Sequence, residues 1–160
     1  MADAYPPPPK GIGGWLILVV IGLIVSPLRI AYYLVTNHWP LFRDGAWLRL
    51  TTPGTEAYHV LWAPLLIFEI VGNLGTIVLG LVALWFLVRR SLHTLKLAIV
   101  WLTWMTAVVV VDYFAADLIP PIAEQSDPES TKELTRSLVG AAIWIPYFLV
   151  SKRVRATFIE

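Results

Sequence analysis

Residues 61–88 read LWAPLLIFEIVGNLGTIVLGLVALWFLV and carry a single charge, at Glu69. A bilayer core about 30 Å thick is crossed by roughly 20 apolar residues at 1.5 Å rise each. This stretch therefore predicts a membrane-spanning helix. Three more apolar stretches flank it, at 12–35, 95–118 and 134–150. Two are long enough to span, and the last sits at the low edge of the usual range. Together they predict an all-α, polytopic membrane protein with four transmembrane helices, near 12–35, 61–88, 95–118 and 128–152.

Composition agrees with that reading. The chain has 160 residues, 58% hydrophobic and 14% charged, whereas a soluble domain carries about a quarter charged residues. Residues 1–160 leave room for one membrane-embedded four-helix domain and no separate soluble one. A net charge of +1 with no basic cluster interleaved with aromatics argues against a nucleic-acid partner. The absence of cysteine excludes disulfides, thiolate metal sites and cysteine nucleophiles. The first apolar stretch is too long for a signal-peptide core, so it is read as a retained helix.

Charge sets the expected orientation. Lys10, Arg89, Arg90, Lys96, Lys152, Arg153 and Arg155 fall on one side of a four-span chain. The other side takes most of the acidic residues. Lysine and arginine in short loops favour the cytoplasm, so both termini are expected to be cytoplasmic. The first outer loop, 36–60, is long and interleaves Trp39, Phe42 and Trp47 with Arg43, Asp44 and Arg49. It is read either as a segment lying in the outer interface or as an ordered cap on the bundle. Pro120-Pro121 should end the third helix. Asp127 with Pro128 should start the fourth.

Four polar residues interrupt the apolar stretches: Arg29, Glu69, Asn73 and Asp112. A charge at the centre of a span costs about 2.5–3.5 kcal/mol on insertion scales, so each needs a reason. Arg29 and Asp112 lie about 26 Å along their helices from the inner side, and Glu69 about 12 Å below its outer start. All share the outer half of the bilayer, where Arg29 is expected to pair with Glu69 or Asp112. On the second helix Glu69, Gly72, Asn73, Thr76 and Gly80 recur every three or four residues and share a face. Two readings stand side by side: a structural lock between helices, and an outward-facing cavity that binds a small ligand or ion. The small-residue stripe also suits an accessory or regulatory subunit that packs against another membrane protein. Four helices are few for a monomeric transporter, so a homo-oligomer or a membrane-protein partner is expected besides the lipid bilayer.

Other chemistry finds little purchase. The three histidines, His38, His59 and His93, show no metal-ligand spacing. No phosphate loop or nucleophile elbow is present. The chain is therefore read as non-enzymatic, without metal or cofactor. Lys152, Arg153 and Arg155 close the chain as positive-inside anchors or as a lipid-headgroup site.

Several segments carry a resemblance. Lys10-Gly11-Ile12-Gly13-Gly14-Trp15-Leu16 opens the first helix, and Ser26-Pro27-Leu28 interrupts it. Phe68-Glu69 is followed by Gly72-Asn73 in the second. Trp144-Ile145-Pro146-Tyr147-Phe148-Leu149, then Ser151-Lys152-Arg153-Val154 and Thr157-Phe158, closes the chain. In these the sequence resembles the bacterial family called "domain of unknown function 2569". The resemblance implies a four-helix, multi-pass protein of the bacterial inner membrane. It supplies no activity, substrate or cofactor.

Overall fold

The computed structural model describes residues 11, 13–124, 128–151, 154, 157 and 158. Among them every regular element is helical. In chain order these are α1 (Trp15–Tyr33), a π-helical turn (Leu34–His38), α2 (Trp39–Arg43), α3 (Ala46–Thr51), α4 (Trp62–Val88), α5 (His93–Ala116), α6 (Pro120–Ala123) and α7 (Pro128–Val150). Three helical runs are long and apolar enough to cross a membrane: Trp15–Arg43, Trp62–Val88 and His93–Ala116. Large apolar side chains lie exposed along them, among them Leu28, Val71, Val78 and Phe114. Contiguous apolar surface on that scale belongs in lipid rather than in water.

The first run is longer than the sequence suggested. It does not stop at Val35 but continues through the π turn and α2 to Arg43. The cause is local. A proline ring clashes with the carbonyl four residues earlier in a regular helix, and Pro40 occupies the second position of α2. Just ahead of it the helix widens, and the Trp39 N–H donates to the Leu34 carbonyl five residues back. The stretch read as an outer loop is thus largely helical. Gly45, at a φ of +70°, turns the chain into α3, and Phe42 stacks on Trp47 across that turn.

The helices form a row. α1 packs on α4, α4 on α5, and α5 on α7, whereas α1 and α7 share no comparable interface. A crevice between the two outer members of the row follows from this order. Between α4 and α5 the chain turns in a Schellman motif. The Ser91 N–H donates to the Phe86 carbonyl and the Arg90 N–H to the Leu87 carbonyl, with Arg90 at a left-handed φ of 50°.

The α4–α5 contact is the tightest. A side chain on Gly72 would come within 2.7 Å of Val108, and one on Gly80 within 3.0 Å of Trp101. This close approach lets the Trp104 indole donate to the Gly72 carbonyl and the Trp101 indole to the Thr76 carbonyl, both at 3.1 Å. Lipid tails are as apolar as leucine, so helices in a bilayer associate through such packing and interhelical hydrogen bonds. The glycine stripe is therefore covered within the chain and is not a free face for a partner. At the opposite end from the polar residues, Leu16, Leu23, Leu87 and Phe148 join Val154 and Phe158 in one buried cluster.

Candidate functional site

The four intramembrane polar residues converge at the end of the bundle where α1 and α5 finish and α4 and α7 begin. All of them border one cavity of about 240 Å³. Glu69 and Asn73 stand one turn apart on α4. Asp112 follows Val108 by one turn on α5. Because Gly72 allows Val108 to approach so closely, the turns next to it bring Glu69 and Asp112 onto the wall of the same cavity. One Asp112 oxygen, Oδ1, is buried without a hydrogen-bond partner among the described residues. A buried acceptor left without a donor costs about 1–3 kcal/mol, and more when charged.

Arg29 does not meet either of these carboxyls as expected. Its guanidinium donates to Glu133 of α7 at 3.0 Å, and both side chains remain about half exposed. The difference is one of reach. α7 begins at Pro128 and brings Glu133 alongside Arg29, so the long arginine chain extends to the rim rather than inward. Glu133 joins the cavity wall as a third carboxyl.

Glu69 has a different partner, which the sequence did not reveal. His38 Nε2 lies 2.7 Å from Glu69 Oε2. The imidazole is buried, 5% exposed, in the π turn, and its Nδ1 has no partner among the described residues. Facing a carboxylate, which only accepts, Nε2 is the donor of this hydrogen bond. The only signal available was helical phase: with the first helix continued past Val35, His38 returns to the buried side that holds Ile30.

The cavity therefore gathers one guanidinium and three carboxyls from four helices, with aromatic walls from Tyr33 and Tyr113. Its volume falls just below the roughly 300–1,000 Å³ of drug-sized pockets, which suits a small group. Lys152, Arg153 and Arg155, the candidate headgroup residues, lie outside the described residues, as does Asp127.

The family model described as "Protein of unknown function (DUF2569)" matches residues 9–159. The chain belongs to this family. No curated protein and no solved structure matches it. In this DUF2569 protein the motifs at the two ends meet. The Gly11 N–H donates to Thr157 Oγ1 at 3.1 Å, and Val154 and Phe158 are buried beneath the bundle. The central motif, Phe68-Glu69 with Gly72-Asn73, supplies the cavity with a carboxyl, an amide and the glycine that draws α5 close.

Proposed function

We propose that this protein is a non-enzymatic, four-span bundle of the bacterial inner membrane that binds a small ligand or ion in a polar cavity open to the outer side. α7 is the fourth span. Its 23 residues cover about 34 Å at 1.5 Å per residue. Its charged residues, Glu129, Lys132, Glu133 and Arg136, are confined to the first three turns, so the charged part stands at the outer surface. Arg89 and Arg90 turn at the other end of the bundle, and short basic connections favour the cytoplasm, so both termini are cytoplasmic. Four helices enclose little volume, and the working unit is a homo-oligomer.

The observation that supports binding over a structural lock is the place of Arg29. A lock requires the arginine to neutralise the inner carboxyls. Arg29 instead engages Glu133 at the rim, while Glu69 and Asp112 line the cavity without it. Three carboxyls against one guanidinium favour a cation. The test is thermal unfolding of the purified protein in mild detergent, titrated with monovalent, divalent and small organic cations. A ligand present at a hundred times its Kd stabilises by about 2.7 kcal/mol. The wild type should shift with at least one cation, and Glu69→Gln with Asp112→Asn should abolish the shift. A wild type indifferent to all of them removes the reading. Stoichiometric copurification of a specific membrane protein would favour the accessory-subunit reading instead.

A further inference from the structure

The crevice between α1 and α7 holds a second cavity, of about 170 Å³, stacked below the first. The stacking is visible on three helices. Ser26 and Arg29 are one turn apart on α1, Met105 and Val108 on α5, and Arg136 and Glu133 on α7, the first of each pair lining the lower cavity and the second the upper. The lower cavity is walled by Gly22, Gly140 and Trp144, and a side chain added at either glycine would meet open space. Arg136, at its upper end, has no ion pair among the described residues.

We propose that the occupant is a phospholipid with a primary-amine headgroup, its ammonium at Glu69 and Asp112, its phosphate at Arg136 and an acyl chain in the Gly22–Gly140 groove. This rests on the cavity being a cation-binding site and names the class of cation. The order of chemistry along the crevice carries it: carboxyls, then a guanidinium unpaired among the described residues and one turn further in than Glu133, then an apolar slot walled by glycines. That is the order of amine, phosphate and chain in such a lipid. A primary ammonium brings N–H groups to the carboxyls of Glu69 and Asp112 that line the upper cavity. A quaternary ammonium has none to give.

The experiment is native mass spectrometry of the detergent-solubilised protein titrated with phosphatidylethanolamine, phosphatidylcholine and phosphatidylglycerol, and with chain-free phosphoethanolamine. Phosphatidylethanolamine should bind about tenfold or more tightly than the other two lipids, because a hydrogen bond to a charged group is worth about 1.5–3 kcal/mol. Asp112→Asn and Arg136→Gln should each remove that preference. A Cβ at position 140 meets nothing within 4 Å, so Gly140→Leu should occupy the slot and lower lipid binding while leaving chain-free phosphoethanolamine unaffected. Equal binding of all three lipids, or a preference that survives Arg136→Gln and Gly140→Leu, overturns the inference. If chain-free phosphoethanolamine binds as tightly as the lipid, the cation site stands and the lipid assignment falls. If neither binds and no cation shifts the wild type, both fall.

Discussion

His38 Nε2 donates to Glu69 Oε2 across 2.7 Å, joining the π turn to α4 over 31 residues of sequence. The imidazole is shut off from solvent, and the carboxylate is mostly buried. Removing one member of such a pair strands the other. A hydrogen bond to a charged group is worth about 1.5–3 kcal/mol. In a double-mutant cycle of His38→Ala and Glu69→Ala, followed by unfolding in detergent, the coupling is expected to fall in that range. Additive losses would mean that the two side chains do not share a bond.

The Arg29–Glu133 bridge should behave differently. Both side chains are about half exposed, and exposed ion pairs contribute about 0.2–1 kcal/mol. The cycle of Arg29→Ala with Glu133→Ala should yield a coupling at or below that level, weakened further by salt. The charge-reversed pair, Arg29→Glu with Glu133→Arg, should recover most of whatever is lost. A coupling as large as that of His38 and Glu69 would show the bridge to be shielded.

These two contacts mark the limit of what the sequence disclosed. Unbroken apolar length made the spans legible. Helical spacing of three and four placed Glu69, Gly72, Asn73 and Thr76 on one face, and the structure sets that face against α5 and the cavity. Arg29, Glu69 and Asp112 were expected to share a depth, with Asn73 lining the same space, and all four border one cavity. Their pairing was not legible, because it depends on elements whose ends composition marks poorly. Aromatics and charges mix over 36–60, which hides the helical run through His38. The start of α7 at Pro128 was legible, but its polar first turns read as lying outside the apolar stretches, so Glu133 was not set beside Arg29.

Glycine at position 72 is set by close approach. Glycine costs about 0.8–1.0 kcal/mol relative to alanine inside a helix, so an exposed glycine should gain from replacement. Gly22 meets nothing within 4 Å, and Gly22→Ala should raise stability. At Gly72 an added carbon would lie 2.7 Å from Val108, and overpacking of that kind costs about 1–3 kcal/mol. Gly72→Ala should therefore lower the unfolding temperature, and it should also part Glu69 from Asp112. The two substitutions are chemically identical, so opposite signs in the same detergent isolate the packing. Equal signs would mean that α5 moves aside freely.

Topology decides which side of the membrane the cavity serves. Arg89 and Arg90 occupy the turn between α4 and α5, and Arg89 lies over the Trp85 ring at 4.1 Å. An arginine–tryptophan pair at a helix end is suited to the headgroup zone. The cavity lies at the other end, with Glu133 and the start of α7. If α7 spans and the basic side is cytoplasmic, alkaline phosphatase fused after Thr52 or Ser126 should be active, and fused after Arg90 inactive. A fusion after Glu160 should be inactive as well. Activity after Glu160 together with activity after Ser126 would mean that α7 does not cross. Activity after Arg90 alone would invert the protein and turn the polar cavity toward the cytoplasm.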